Sequence, residues 1–244
     1  MPGFGRFYED EKMKTIVLER EELFERTADD IAALLAKKPG AVLAFSTGRT
    51  LGALFRVLAR RCAEGKMSLA SATVFAVTEF EDAPEELTAR HQLLNELSAM
   101  TDLPAENCRF LSAEAAGSFD EAIRAAGGLD LAVLGLGVNA HVGYNEPATP
   151  YASTTHRQRL TDKTRGQLAE TFGSAEAAPE YAWTMGVRTL VSARRILVLA
   201  CGREKAWAAF QMLYARDDSV IPAAFLQLPP EVTVYLDPDA AEKL

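Results

Sequence analysis

Short apolar runs alternate with amphipathic helical patterns along most of the chain. Six of these runs have the length and composition of buried strands, because they are short, mainly aliphatic and bounded by polar or glycine-containing segments. They cover residues 14–18, 41–45, 73–77, 129–136, 196–200 and 232–236. We expect the first of them to be an edge strand and the last to close the sheet.

Five segments between these runs repeat apolar residues at helical spacing and are predicted to be helices. In residues 21–37, for example, Leu23, Ile31 and Leu35 share one stripe, and Pro39 ends the pattern. The other four predicted helices cover residues 50–64, 85–100, 119–126 and 203–215.

The order of these elements predicts the fold class. Strands that are continuous apolar runs and are separated by helices indicate a parallel sheet that is buried on both faces. We therefore expect an α/β protein with three layers, a mainly parallel Rossmann-like sheet with helices on both faces. The sequence has no internal repeat and no Pro/Ser-rich linker, so residues 1–244 are expected to form a single domain with a loop at 172–179.

Composition and charge narrow the range of functions that the chain could have. Of the 244 residues, 48% are hydrophobic and 25% are charged, which is typical of a folded globular protein. The net charge of −8 disfavours a nucleic-acid-binding surface, which would need clustered positive charge. No apolar run approaches the roughly 20 residues that cross a bilayer, so we expect no membrane partner. The three cysteines are far apart, fit reduced thiols in the cytoplasm, and do not combine with the histidines into a metal site.

In open parallel sheets ligands bind at the carboxyl ends of the strands, and four polar segments of this chain fall there. The first runs from Ser46 through Thr47, Gly48 and Arg49 to Thr50, between a strand and a helix. Hydroxyls and free N–H groups at a helix start form an anion site, to which Arg49 adds positive charge. The alternative interpretation is an ordinary turn with a threonine that caps the helix.

The second segment carries acidic residues directly after a strand. Thr78 and Glu79 follow the apolar run 73–77, and Glu79 is the first acid that would project near the carboxyl edge of the sheet. A carboxylate in that position is a candidate general base. The alternative interpretation is a solvated loop.

The third segment is a loop rich in glycines and amides after the run 129–136, and it contains Asn139, His141 and Glu146. A histidine five residues before a glutamate is a candidate proton-transfer pair, because the carboxylate would orient the ring and favour its charged form. The alternative interpretation is a histidine that makes only structural hydrogen bonds.

The fourth segment contains Lys205, at the start of the predicted helix 203–215. A lysine in the first helical turn opposes the helix dipole, which makes sense if the lysine meets a phosphate. The alternative interpretation is a surface lysine that pairs with an acid such as Glu204.

These segments together resemble the glucosamine-6-phosphate deaminase/isomerase family. Residues 137–147 are similar to its signature loop, whose usual form is Gly-x-(Asp or Asn)-Gly-His-Ile-x-Phe-Asn-Glu-Pro. Residues 46–50 resemble its phosphate loop, residues 78–79 stand where it has Asp-Glu, and residues 183–187 with Lys205 match its later part. The Asn-Glu-Pro tripeptide distinguishes the chain from the related 6-phosphogluconolactonases.

The resemblance extends from about residue 14 to residue 237, and some of its details point to one branch of the family. Asn139 in place of Asp, His156 and the segment 221–226 look more like the galactosamine-6-phosphate isomerase/deaminase branch. Family members are often homo-oligomers, and the partner that the resemblance implies is a small-molecule sugar phosphate.

The family converts an amino-sugar 6-phosphate into a ketose 6-phosphate and ammonia, without a metal or an organic cofactor. The resemblance implies that His141 protonates the ring oxygen, that Glu146 orients the imidazole, and that Asn139 helps to place it. It also implies that residues 46–50 and Lys205 anchor the phosphate. A carboxylate then removes the proton from C2 of the sugar, so the chemistry needs two acid–base groups and one anchor.

The chain departs from the family pattern at several of these positions. Thr78 replaces the aspartate base, and a hydroxyl does not act as a carboxylate base at neutral pH. Glu79 is adjacent, but neighbouring residues after a strand usually point in different directions. Arg49 replaces a phosphate-loop glycine, Ala140 replaces the glycine before the histidine, and Glu170 falls near the position of a phosphate-binding arginine.

Three functions are consistent with these residues. The first is an active amino-sugar-phosphate isomerase/deaminase, in which Glu79 or a water replaces the base. The second is a catalytically impaired protein that binds a sugar phosphate. The third keeps the fold and changes the reaction, as in a related sugar-phosphate isomerase or a 6-phosphogluconolactonase-like hydrolase.

Overall fold

The main feature of the protein is an eight-stranded sheet. The computed structural model describes residues 6–9, 13–216, 220–229 and 231–244. Across the sheet the strands follow the order β1 (Arg6–Glu9), β2 (Lys14–Val17), β11 (Val232–Leu236), β10 (Arg195–Ala200), β7 (Leu131–Gly135), β3 (Val42–Phe45), β4 (Thr73–Ala76) and β6 (Cys108–Arg109). Seven strands are parallel, and β1 alone pairs antiparallel, with β2.

Helices cover both faces of this sheet, as the continuous apolar strands predict. The helices are α1 (Arg20–Lys37), α2 (Arg49–Ala63), α3 (Ala89–Gln92), α4 (Ala116–Ala125), α5 (Asp162–Phe172), α6 (Val187–Val191) and α7 (Ala206–Tyr214). Alternate residues of one strand enter opposite cores: Leu43 and Phe45 pack with α1 and α2, whereas Val42 and Ala44 pack with α4, α6 and α7. The predicted three-layer α/β class is confirmed.

A second, smaller sheet stands at the carboxyl edge of the first and was not predicted. It consists of β5 (Thr78–Phe80), β9 (Tyr181–Thr184) and β8 (His156–Arg159), all antiparallel. The chain passes from β4 through the single residue Val77 into β5, so the small sheet continues from the end of a core strand. Its strands are only three or four residues long, and β8 is wholly polar, so no apolar run marks them.

Two predicted strands occupy other positions in the sheet than expected. The run 14–18 forms β2 but is not an edge strand, because the segment Arg6–Glu9 pairs outside it. The run 232–236 forms β11 but does not close the sheet, because it lies between β2 and β10. Hydrogen-bonding order across a sheet does not follow order along the chain when crossovers intervene.

The predicted helix over 85–100 is broken into short turns. Glu85–Leu87 is a 3₁₀ turn, Thr88 has an extended backbone, and α3 begins only at Ala89. The break arises because the Glu79 carboxylate accepts the N–H groups of Ala89 and Arg90 and so starts a new helix there. The predicted helices 21–37, 50–64, 119–126 and 203–215 are present with shifted ends, and β6, α5 and α6 carried no predicted element.

The strand order creates a crevice between β3 and β7. From β3 the chain builds outward through β4 to β6, and from β7 it builds in the other direction through β10 to β11. Loops after β3 and β7 therefore separate at the carboxyl edge, which is where doubly wound sheets bind ligands. None of the helices in the described part of the chain is long and apolar enough to cross a membrane.

Candidate active site

A cavity of about 780 Å³ opens at this crevice. Its walls come from the loops after β3, β4, β7 and β10, together with one face of α5. Of the residues that the sequence singled out, those that line it are Ser46, Thr47, Gly48, Arg49, Thr50, Thr78, His141 and Lys205. The volume lies within the range of about 300–1,000 Å³ that is usual for small-molecule sites.

The loop after β3 presents an anion-binding helix start. No side chain caps α2, and its first backbone bond runs from the N–H of Gly52 to the carbonyl of Gly48, so the N–H groups before Gly52 remain at the helix end. Gly48 has φ +105°, a conformation that favours glycine. The Ser46 hydroxyl is buried and has no hydrogen-bond partner among the described residues, so it is available to a ligand.

Lys205 stands opposite this loop, in the short turn between β10 and α7. Its side chain is buried, and burial lowers the pKa of the ammonium group to about 8, with a further lowering from the charge of Arg49 against a raising effect of Glu204. An anion placed between Lys205 and the helix start would raise this pKa and so favour the charged form. The phosphate-loop residues and Lys205 are therefore brought together as the sequence expects.

His141 also lines the cavity, and a buried hydrogen-bond network holds its ring through Nδ1. The Thr164 hydroxyl is 3.2 Å from Nδ1 of His141, and the Glu146 carboxylate is 3.8 Å from the same nitrogen. Asn139 donates its side-chain amide to Glu146 at 2.7 Å. Among the described residues, Nε2 of His141 has no hydrogen-bond partner, so this nitrogen remains free to exchange a proton with a ligand.

Glu146 is an ionised carboxylate inside the protein. Burial by itself would raise the pKa of this carboxyl, but the His141 ring, the Thr164 hydroxyl and the Thr161 N–H together lower it to about 2. Thr161 donates its N–H to one carboxylate oxygen at 3.1 Å and its hydroxyl to the other at 3.2 Å. A fixed negative charge behind the ring favours an imidazolium that forms during proton transfer.

The backbone of the loop after β7 is shaped around the His141 ring. A Cβ on Gly137 would lie 2.3–2.5 Å from three ring atoms, so only glycine fits there. Ala140 has φ +62°, the left-handed region that disfavours a residue with a Cβ. The side-chain amide of Asn145 donates to the carbonyls of Val142 and Met185, which ties the loop to the residues after β9.

Thr78 and Glu79 point to different places, and the structure corrects the expectation that Glu79 supplies a base. Thr78 lines the cavity, whereas Glu79 does not. The Glu79 carboxylate accepts the N–H groups of Phe80, Ala89 and Arg90 at 2.8–2.9 Å, which makes it a cap for α3. Burial raises the pKa of Glu79, and these three N–H groups oppose the shift.

The carboxylates that do line the cavity, within the described part of the chain, are Glu204 and Asp239. Glu204 follows β10 and acts on Lys205, and Asp239 follows β11 and acts on Arg20. No described carboxylate therefore lies on the cavity wall at the Thr78 position.

Several residues of the site were missed from the sequence. Thr161 caps α5, and Thr164 in its first turn contacts His141, but α5 was not predicted. The pattern Thr-Asp-x-Thr at its start is a helix-start signal that would have found it. Gln92 holds the phosphate loop by accepting the N–H of Gly48 at 2.6 Å, a contact that no local sequence pattern signals.

No group of three or more histidine, cysteine, aspartate or glutamate side chains in the described residues is arranged to hold a metal ion. The site built here consists instead of an anion-binding helix start, a buried lysine, and a histidine backed by a carboxylate. The doubly wound sheet with a polar cavity at its switch point thus defines an α/β protein of the small-molecule-binding class.

Comparison with known proteins identifies the family. A profile of the family described as glucosamine-6-phosphate isomerases/6-phosphogluconolactonase matches residues 19–235. The chain therefore belongs to this family, as the sequence motifs indicated.

Individual relatives agree with this assignment over nearly the whole chain. A glucosamine-6-phosphate deaminase of Bacillus velezensis is 36% identical over 230 residues, covering 91% of this chain and 95% of the relative. One of Rhodopirellula baltica is 36% identical over 238 residues, covering 94% of each.

Solved structures extend the likeness to three dimensions. A monomeric glucosamine-6-phosphate deaminase superposes with a TM-score of 0.90 at 29% identity, covering 96% of this chain and 100% of that one. A 6-phosphogluconolactonase from Thermotoga maritima has a TM-score of 0.74 at 20% identity, covering 93% of this chain and 99% of that one. The second likeness shows the shared fold alone.

Proposed function

We propose that this protein is an amino-sugar-6-phosphate isomerase/deaminase, which forms a ketose 6-phosphate and ammonia from glucosamine 6-phosphate or galactosamine 6-phosphate. The observation that carries the proposal is the Nε2 of His141, which has no hydrogen-bond partner among the described residues. Buried Glu146 backs this histidine, and the anion-binding loop lines the same cavity. The names of the relatives support glucosamine 6-phosphate. Galactosamine 6-phosphate is included because Asn139 and the segment 221–226 resemble the galactosamine-6-phosphate branch of the family.

Different residues of the cavity bind the phosphate and transfer the proton. The N–H groups at the start of α2, the hydroxyls of Ser46 and Thr50, and Lys205 bind the phosphate and so fix the position of the sugar. His141 then donates a proton to the ring oxygen, which opens the ring, while Glu146 stabilises the imidazolium and orients it.

The next steps move a proton from C2 to C1 and release the amine. When the C2–H bond breaks, its electrons form a C1–C2 double bond, and the π electrons of the C1 carbonyl move to its oxygen, which takes up a proton. C1 then takes up a proton through the electrons of the C1–C2 π bond, while the nitrogen lone pair forms an iminium at C2. Water adds to the iminium, and ammonia leaves as the C2 carbonyl forms. Because Thr78 has no charge and Glu79 faces α3, we assign removal of the C2 proton to a water at the Thr78 hydroxyl.

A second candidate function rests on the same residue. A water is a weak base, and removing a positioned base typically lowers the rate by about 10²- to 10⁴-fold. Thr78 therefore also favours a protein that binds a sugar phosphate and either does not turn it over or performs a different reaction. The two different reactions are isomerisation without loss of ammonia, which still moves a proton from C2, and lactone hydrolysis, which does not.

Ammonia release from each of the two amino-sugar phosphates tests the proposal. The wild type, His141→Ala, Thr78→Asp and Thr78→Asn are compared. We expect slow release by the wild type, none by His141→Ala, and release about 10²- to 10⁴-fold faster by Thr78→Asp, since the carboxylate restores a base. Thr78→Asn is the matched control, because it has a similar shape and no charge, and it should not accelerate release.

One result would decide for the second candidate. If neither sugar releases ammonia with the wild type or with Thr78→Asp, while glucose 6-phosphate still binds, the deaminase assignment is wrong. Product analysis by NMR with the same sugars and with a lactone substrate would then separate a changed reaction from binding alone.

Further expectations stay proposals of the same kind. We propose a single domain over residues 1–244, a cytoplasmic enzyme that needs no metal or organic cofactor, and no nucleic-acid partner. Assembly into homo-oligomers is tested by sedimentation, and independence of metal by activity after dialysis against a chelator.

A further inference from the structure

A salt bridge joins two walls of the cavity. Nη1 of Arg49, in the phosphate loop, lies 2.6 Å from Oε2 of Glu170, on α5. Four other residues of α5 line the cavity directly, so Glu170 belongs to a helix that forms one of its walls; they are Thr164, Gln167, Leu168 and Thr171. Both members of the pair keep 70% of their side-chain surface exposed.

The Arg49 guanidinium is also within reach of the anion site. Arg49 lines the cavity, and it is the first residue of α2, where the helix N–H groups are free. Its charge acts on Lys205, which shows that the two cations lie close to the same space. Among the described residues, Glu170 is the only acid paired with Arg49, so it occupies a guanidinium that lines the cavity.

We propose that Glu170 is a built-in competitor for Arg49, displaced when the ligand's phosphate binds. Glu170 thereby lowers the affinity for phosphorylated ligands without touching the sugar. This inference rests on the phosphate-binding half of the proposed function and does not depend on turnover.

The energetics favour this exchange. An exposed ion pair between long side chains is weak, because water screens it and both side chains lose rotamer freedom. A phosphate dianion carries more charge than a carboxylate and accepts two parallel hydrogen bonds from a guanidinium. The ligand also gains the helix start and Lys205 at the same time, whereas Glu170 gains neither. We therefore expect the phosphate to displace Glu170 from Arg49. The affinity for the phosphate should be lower by the free energy of the Arg49–Glu170 pair.

Calorimetry with glucose 6-phosphate tests the inference, because this ligand has the phosphate and no amine to release. Glu170→Gln, Arg49→Ala and the double variant are compared with the wild type. The matched control is Glu180→Gln, which removes an exposed carboxylate that pairs with Arg159 at 3.0 Å, outside the residues that line the cavity. Binding of inorganic phosphate, and of glucose without phosphate, is measured alongside.

We expect Glu170→Gln to lower the Kd for glucose 6-phosphate by about two- to fivefold, which corresponds to the strength of an exposed pair. Arg49→Ala should raise the Kd by about tenfold or more, as the loss of a charged hydrogen-bond donor does. In the Arg49→Ala background, Glu170→Gln should have no further effect. Glu180→Gln should leave the Kd unchanged, and binding of unphosphorylated glucose should not respond to any variant.

Several results would overturn the inference. A Kd that is unchanged or raised in Glu170→Gln would show that Glu170 does not compete for Arg49. Equal tightening in the Arg49→Ala background, or in Glu180→Gln, would show general repulsion by surface charge. Failure of the wild type to bind glucose 6-phosphate would also overturn it. Absence of ammonia release with phosphate binding intact would instead contradict only the proposed reaction.

Discussion

Replacing Glu146 by glutamine should destabilise the protein strongly at neutral pH. The carboxylate is 2% exposed and accepts hydrogen bonds from Asn139 and from two groups of Thr161. A glutamine keeps the shape, but its amide nitrogen would face donors and it carries no charge. The pKa of about 2, against 4.5 for the free group, corresponds to about 3 kcal/mol at about 1.36 kcal/mol per pH unit.

The effect of Glu146→Gln should depend on pH in a definite direction. A pKa that is lowered in the folded state stabilises the fold above the unfolded pKa near 4.5, and this stabilisation is lost as the pH falls towards 2. The difference in free energy of unfolding between wild type and variant should therefore be about 3 kcal/mol at pH 7 and shrink below pH 4.5. In thermal unfolding at pH 7, the variant should melt roughly 6–12 °C lower.

Urea unfolding of wild type and Glu146→Gln at pH 7, 5 and 3 measures this directly. Glu121→Gln is the control, because this side chain is 63% exposed and its pair with Arg124 lies on the surface of α4. The control should change the free energy of unfolding by less than about 0.5 kcal/mol. A Glu146→Gln difference that is below about 1 kcal/mol at pH 7, or equal at pH 7 and pH 3, would refute the charged network.

Three further predictions concern other parts of the site. Because burial lowers the Lys205 pKa to about 8, binding of glucose 6-phosphate should weaken several-fold from pH 7 to 9.5, and Lys205→Met should remove this dependence. Ala140→Gly should relieve the strain of φ +62° and raise the free energy of unfolding in urea by about 1 kcal/mol. The control Ala122→Gly, at an exposed position of α4, should lower the free energy of unfolding by about 1 kcal/mol. Glu79→Gln should lower stability by about 1–3 kcal/mol in urea unfolding with little change in turnover; a hundredfold loss of ammonia release would show that Glu79 is the base.

Local patterns were sufficient for six strands of the large sheet, because these six are buried on both faces, whereas β1 and β6 were not predicted. Such strands are continuous apolar runs, and they stand out against helices with one apolar stripe. The short strands β5, β8 and β9 are half exposed or polar, and only pairing with distant segments makes them strands. The β5–β9 pair joins Thr78 to Thr184, about a hundred residues along the chain.

The candidate site was likewise predicted from the sequence only in part. The carboxyl ends of parallel strands share one edge of the sheet. This rule predicts that four segments meet at that edge: residues 46–50, 78–79, 139–146 and 205. Which of two adjacent side chains faces the cavity does not follow from this rule. The β5 pairing turns Thr78 inward, and the helix start at Ala89 takes the Glu79 carboxylate.

The amino-acid sequence alone was enough to establish the layered α/β class, the edge at which the site lies, and the family, because each depends on local periodicity or on a contiguous motif. The tertiary structure decided which groups act together. Thr164 reaches His141 from α5, and Glu170 reaches Arg49 from the same helix, although no local pattern signals either contact. Such contacts arise because folding brings together side chains that are far apart along the chain, so their geometry has no local signature.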